Sequence, residues 1–253
     1  MKKRQPVLLG FLLAALLGLA ACQWQQEAPA AVQPPEIEAE EPAAQPAADG
    51  QLLITPVESS HAFADAENHI YGQVTLHGLA FSGNPAAEAI AADLRQAEDV
   101  YLAELADEEG ALFAADSSVS FDHEITYTLA YQDEALISVT RDCIISGAKA
   151  AHAQSQRFAY NYDAVSGQRL AIADLLGPGW RETAVSAIYQ QINEAEELGN
   201  YYPDLERLLV SEFREDQWQA DGDNVQIIYN PYQIAPYSAG ILVFSLPRQD
   251  AVV

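Results

Sequence analysis

From Val119 to Tyr131 the chain alternates without a break. Val119, Phe121, His123, Ile125, Tyr127, Leu129 and Tyr131 interleave with Ser120, Asp122, Glu124, Thr126, Thr128 and Ala130. A period of two held this long describes a β-strand with one face buried and the other wet. Such a strand is not stable alone, so the rest of the chain must supply a sheet and a layer to cover it. Gln132-Asp133-Glu134 reads as a tight turn into a partner strand, the apolar run Ala135 to Ile145. A third strand covers Gln154 to Tyr162, and Asp163 to Gly167 turns it into a short fourth around Leu170. Sequential strands this close are expected to be antiparallel neighbours.

Around this sheet the pattern is helical. A strand-like stretch, Ile70 to Phe81, places Ile70, Val74 and Leu76 on one face, and Asn84-Pro85 then supplies an N-cap and a proline at the first helical position. The helix that follows carries Ile90, Leu94, Ala97, Tyr101 and Leu105 on one stripe, with Glu88, Asp93, Arg95 and Glu98 on its other face. Gly177-Pro178-Gly179 precedes a helix beginning near Trp180, striped by Trp180, Val185, Ile188 and Ile192, for which Gly199 is the expected stop. Another helix follows Pro203, with Leu205, Leu208, Leu209 and Phe213 inward, and two strands close the chain, Val225 to Tyr229 and Ile241 to Leu246. The whole reads as α+β: an antiparallel sheet with helices packed on one face, preceded by a signal peptide and a disordered linker.

The leader has three parts: basic Lys2-Lys3-Arg4, an apolar run from Val7 to Leu17, and Leu19-Ala20-Ala21-Cys22. The first two are those of a secretory signal peptide. A cysteine directly after Leu-Ala-Ala resembles the bacterial lipobox, which implies covalent diacylglycerol on Cys22, cleavage before it, and residence of the chain at the cell surface or envelope on its lipid anchor. No other cofactor is expected. The apolar run is shorter than the ~20 residues a membrane-spanning helix requires. Removing three bases takes the formal net charge from −25 to −28 and leaves Lys149 with eight arginines. That surface repels nucleic acid and attracts cationic partners. From residue 23 to 50 the chain is rich in Ala, Pro, Gln and Glu, a stalk composition that cannot bury a core. The expected organisation is a signal peptide at 1–21, lipidated Cys22 and linker at 22–50, an N-terminal module at 51–116, a larger domain at 117–249 and a tail at 250–253.

Cys143, left alone once Cys22 is lipidated, sits in an apolar run and reads as a small core hydrophobe. His61, His69, His77, His123 and His152 are scattered. No pair has the i, i+4 spacing with an intervening Glu that zinc hydrolases use, and there is no nucleophile elbow or phosphate-cradling glycine loop. His123 falls on the apolar face of its strand and reads as a satisfied core residue. A non-enzymatic protein is expected, and no catalytic or metal-ligating residue is assigned.

Four stretches carry a further resemblance: Leu136-Ile137-Ser138-Val139; Ser146 to His152 with Phe158 and Asn161-Tyr162-Asp163; Ser166-Gly167-Gln168 leading to Ile172-Ala173-Asp174-Leu175-Leu176; and Pro231 to Gly240, Pro-Tyr-Gln-Ile-Ala-Pro-Tyr-Ser-Ala-Gly. Together they resemble the extracellular domain of RsiV-type anti-sigma factors, a domain of unknown function also found beside the catalytic domain of PdaC-type peptidoglycan deacetylases. The resemblance implies binding or sensing at the cell envelope, with the cell wall or a cationic protein such as lysozyme as partner. A cell-wall glycan enzyme, or an accessory subunit of one, is the alternative. Two positions depart from the family: Ala148-Lys149-Ala150 stands where two glycines are usual, and Gln233 where glutamate is more common. His152, behind a loop of small residues, and Tyr232, Gln233 and Tyr237, in a loop held between prolines, are the candidate partner-binding residues.

Overall fold

The computed structural model describes residues 51–195 and 197–248. The leader, Cys22, the linker and the 250–253 tail lie outside the described residues. In chain order the elements are β1 (Leu53–Ala64), β2 (Ile70–Ser82), α1 (Pro85–Ala115), β3 (Phe121–Gln132), β4 (Leu136–Gly147) and β5 (Gln154–Asp163). They continue with α2 (Ile172–Leu176), α3 (Trp180–Glu194), α4 (Leu205–Ser211), β6 (Trp218–Asp221), β7 (Asn224–Tyr229) and β8 (Leu242–Pro247). No helix among the described residues is long and apolar enough to cross a membrane.

The fold is α+β, with its strands in two mostly antiparallel sheets rather than one. The first has the order β1-β2-β3-β4-β5, and the second β6-β7-β8. Within the first sheet β2 and β3 run parallel, because α1 carries the chain back between them, as a parallel pair requires. That pair joins a strand from the 51–116 stretch to one from the 117–249 stretch in a single sheet.

Asn84 starts α1 as its place before Pro85 predicts: its Oδ1 accepts from Ala87 N at 2.8 Å. Asn84→Ala should lower stability by about 1 kcal/mol, read as a midpoint shift in urea denaturation. The predicted stripe of α1 lies against the sheet. Ile90, Leu94 and Leu105 share one core with Val74, Leu76, Ile125, Ile137, Val139, Cys143 and Tyr162, and Ala97 and Tyr101 pack at its margin. Cys143 is fully buried, and that burial pushes its thiol pKa up, away from reactivity.

Four local expectations change. Ile70 is exposed rather than facing inward with Val74 and Leu76. It lies opposite a bulge between Phe63 and Ala64, which bends that end of the hairpin. Helix α3 ends at Glu194, not at Gly199, because Ala195 N and Glu197 N fold back onto Gln191 O and Ile192 O. The fourth strand around Leu170 is a single bridge, Tyr162 to Arg169, after which the chain enters α2. Phe213 lies beyond α4, against Trp180 with ring centroids 4.7 Å apart. Strands β1 and β6 were not legible in advance. Most of β1 is exposed and contains Pro56, which suits an edge strand, and β6 has only four residues.

The turns are held by aspartates. Asp163 Oδ1 accepts from Ser166 N and Ser166 Oγ, both at 2.7 Å, and these bonds hold its carboxyl below the ordinary carboxylate range. Asp116, after α1, is lowered by Lys149 Nζ at 2.5 Å and then by Ser118. A carboxyl with a depressed folded pKa adds stability above its unfolded pKa and loses it as pH falls through the folded value. The denaturation midpoint is therefore expected to hold from pH 7 to about 5 and to fall below about pH 4. Asp163→Asn should reduce that fall, and an unchanged acid limb in this variant would refute the assignment.

The second sheet lies on the face of the first opposite α1, and polar side chains make the joint. Ser138 and Asn161 face each other across β4 and β5, both buried. Ser138 Oγ donates to Asn161 Oδ1 at 2.6 Å and accepts from Ala220 N at 3.2 Å, while Asn161 Nδ2 donates to Trp218 O at 2.7 Å. On the other side of the second sheet, α3 and α4 close a separate core of Ile188, Ile192, Leu205 and Leu209 with Trp218, Ile227, Tyr229 and Phe244.

Candidate functional site

The loop between β4 and β5 and the loop between β7 and β8 meet at the surface. His152, from the first, stacks on Tyr237, from the second, with ring centroids 3.9 Å apart and planes 25° from parallel. Tyr232 lies 5.7 Å from Tyr237, tilted by 32°. His152 and Tyr232 are exposed, and Tyr237 is half-buried. Three of the four candidate partner-binding residues, distant in sequence, thus form one patch of rings.

The patch is fixed from beneath. Tyr237 Oη donates to Ala153 O at 2.5 Å, and His152 Nδ1 reaches the same carbonyl at 3.0 Å. A carbonyl only accepts, so Nδ1 carries the proton and a neutral His152 leaves the Nε2 lone pair as an acceptor. Tyr232 has φ +72°, a left-handed conformation that bulky residues rarely take. The neighbouring Asn230 side chain behaves like a strand partner for β5: its Oδ1 accepts from Arg157 N at 2.7 Å, and its Nδ2 donates to Arg157 O at 3.0 Å.

Gln233 has a different place. Its Nε2 donates to Glu212 O at 3.1 Å and to Gln217 Oε1 at 3.0 Å, and its Oε1 accepts from Asn230 N. It anchors the loop instead of joining the patch. A glutamate here could not donate those two bonds, so the amide at position 233 has a local structural consequence. Lys149 ties the His152 loop to the end of α1 through Asp116.

A second constellation lies beneath α1. His123 is buried, as its alternation predicts, with Tyr101 Oη 3.1 Å from Nδ1 and the Glu109 carboxylate bonded to Nε2. Glu109 is itself buried, and its Oε2 has no partner among the described residues. Arg141 is buried alongside, its guanidinium 4.6 Å from the Tyr101 ring centroid and 4.7 Å from that of Phe158. Desolvated cation–π contacts of this kind are worth up to about 2 kcal/mol each. Burial pushes the Tyr101 and Tyr127 phenols up, so both stay neutral; Tyr101 Oη bonds to His123, while Tyr127 Oη has no partner among the described residues. Sequence reading missed Glu109, although the stripe contained the signal: four residues beyond Leu105 the same face of α1 comes round to Glu109.

The other histidines are peripheral. His69 pairs with Asp65 at 2.9 Å, His77 with Glu58 at 3.2 Å, and His61 meets the edge of Phe63. Asp65, Glu67 and His69 cluster at the β1–β2 turn, where Asp65 Oδ1 accepts from Glu67 N and His69 N, so the aspartate shapes the turn. The exposed surface of α1 is acidic, with Glu88, Asp99, Glu104, Asp107 and Glu108 against a single base, Arg95. The Glu108 carboxyl is pushed up by partial burial and then by the neighbouring charges of Glu104 and Glu109.

Comparison with known proteins gives two kinds of likeness. A DUF3298 family protein from Bacteroides fragilis NCTC 9343 has a solved structure that matches with a TM-score of 0.55 at 14% identity, over 80% of this chain and 95% of the other. A DUF3298 family protein from Pseudomonas aeruginosa PAO1 matches with a TM-score of 0.54 at 18% identity, over 79% of this chain and 92% of the other. At such identities the likeness is one of fold. No curated protein matches the chain significantly. Residues 173–249, which carry α3, α4, the second sheet and the Tyr232–Tyr237 loop, match the family model described as Protein of unknown function (DUF3298).

Proposed function

We propose that this protein is a lipid-anchored, non-catalytic binding protein of the bacterial cell envelope whose partner is the cell wall or a cationic wall-associated protein of the lysozyme kind. The observation that carries this reading is the ring patch of His152, Tyr232 and Tyr237, assembled from two loops and held by the Ala153 carbonyl. Rings presented on fixed backbone bury contact area at little entropic cost. The acidic surface of α1 supports it, because a negative field speeds the approach of a cationic partner and is screened by salt. Leu19-Ala20-Ala21-Cys22 supports the anchor, and the resemblance to RsiV-type domains supports the site of action.

Full-length protein is expected to bind lysozyme or isolated sacculi with micromolar or tighter affinity in dilute buffer. Binding to lysozyme should weaken at least tenfold on going to a few hundred millimolar salt. Replacing Glu104, Asp107 and Glu108 by their amides should slow association more than it speeds dissociation. Absence of binding to lysozyme, sacculi and other cationic wall proteins would sink the proposal. Radiolabelled glycerol or palmitate incorporated into the wild type but not into Cys22→Ala tests the anchor separately.

A further inference from the structure

We infer that the ring patch of His152, Tyr232 and Tyr237 is a stacking site for a neutral pyranose ring of a glycan chain. The inference rests on the function proposed above only for the kind of glycan, an N-acetylhexosamine oligomer of the wall type.

The patch itself narrows the ligand chemistry. Its rings stand only 25° and 32° apart along the contact series, and the outer two, His152 and Tyr232, are exposed. A flat partner with a weakly polar face suits such a surface. Aromatic π-faces are electron-rich, and the axial C–H bonds on one face of a pyranose carry the complementary partial positive charge. The polar edge of the patch is matched as well. With His152 Nδ1 donating to Ala153 O, Nε2 is the acceptor of the neutral tautomer, and the Tyr237 oxygen retains lone pairs after donating to the same carbonyl. Sugar hydroxyls are donors at the rim of a flat ring, which is the geometry these acceptors require.

A nucleobase would also stack on such rings, but a nucleotide carries phosphate and needs a cation beside the platform. Lys149, the one lysine beyond the leader, is engaged with Asp116 at 2.5 Å, and the chain carries a formal net charge of −25. The field therefore selects against anionic stackers and leaves a neutral ring. The platform is also built in advance. Tyr232 is held at φ +72° beside a loop whose Asn230 and Gln233 side chains are fixed to β5 and to the Glu212–Gln217 segment, so little ordering remains for the ligand to impose.

The test is titration of full-length protein with N-acetylglucosamine tetramer, following the His152 ring protons by NMR, with maltotetraose and a mononucleotide as comparison ligands. Saturable shifts of the His152 resonances at millimolar or lower tetramer are expected, with none for the mononucleotide. Tyr237→Ala should weaken binding at least tenfold. Tyr237→Phe, which keeps the ring but gives up the bond to Ala153 and the rim oxygen, should weaken binding clearly less than Tyr237→Ala and guards against a folding defect. No shift at 10 mM tetramer, or undiminished binding by Tyr237→Ala, would overturn the inference. Equal binding of maltotetraose keeps the stacking site but removes the wall-type preference. Binding to lysozyme or sacculi without binding to oligosaccharide overturns the glycan site and leaves the envelope function standing. Oligosaccharide binding without either does the reverse.

Discussion

Glu109→Ala is expected to destabilise the protein by about 3–5 kcal/mol, a midpoint loss of roughly 10 °C in a thermal melt. The carboxylate is bonded to His123 Nε2 inside the core, and both residues are almost fully buried, at 4% and 3% exposure. Removing it leaves an imidazole N–H or a charge with no water to turn to. The cost is that of an orphaned buried group, not that of a lost surface contact. Glu109→Gln retains an acceptor oxygen and should lose less. A loss below about 1 kcal/mol for Glu109→Ala in urea denaturation would show that the pair contributes little.

Gly72 gives an independent check on the same carboxylate. A Cβ built there would lie 2.7 Å from Glu109 Oε2 and 3.2 Å from Phe63 Cδ2. Gly72→Ala should therefore cost about 1–3 kcal/mol in the wild type by overpacking, and markedly less in the Glu109→Ala background, where the methyl occupies vacated space. A coupling of about 1 kcal/mol or more in the double-mutant cycle is expected, whereas additivity would place the strain elsewhere.

The second large effect is expected at the joint between the sheets. Asn161→Ala removes the donor to Trp218 O and the acceptor of Ser138 Oγ together. Two buried polar groups at about 1–3 kcal/mol each give a loss of roughly 3 kcal/mol. The loss should not be uniform. Hydrogen exchange at β6 and β7 should accelerate before exchange at β3 and β4, because Asn161 pins the second sheet to the first. Equal acceleration throughout would mean that the two sheets open as one unit.

How far the sequence could be read varied with how local the cause was. The N-cap at Asn84, the stripe of α1 from Ile90 to Leu105, the alternation through His123 and the turns at Asp133 and Asp163 each depend on a few neighbouring residues, and each is found where it was expected. Strand β1 was missed because an edge strand that is mostly exposed need not alternate. Gly199 misled because the chain closed α3 earlier through backbone bonds that no side chain announces. Of the candidate residues, His152, Tyr232 and Tyr237 could be named singly, but their meeting depends on two loops about eighty residues apart. Gln233 looked the same in sequence and turned inward, because Glu212 and Gln217 offered it acceptors.

The alternation from Val119 to Tyr131 determined by itself that there would be a half-buried strand, found at Phe121–Gln132, and that a layer must cover it, since period and burial follow from backbone geometry alone. The tertiary structure decided what stood on that strand's inner face. His123 could have met any core residue, and it meets Glu109 only because α1 crosses the sheet in one register. The same holds for the joint at Asn161 and the ring patch at Tyr237. Each is a contact between segments distant in the chain, and only packing brings them into reach.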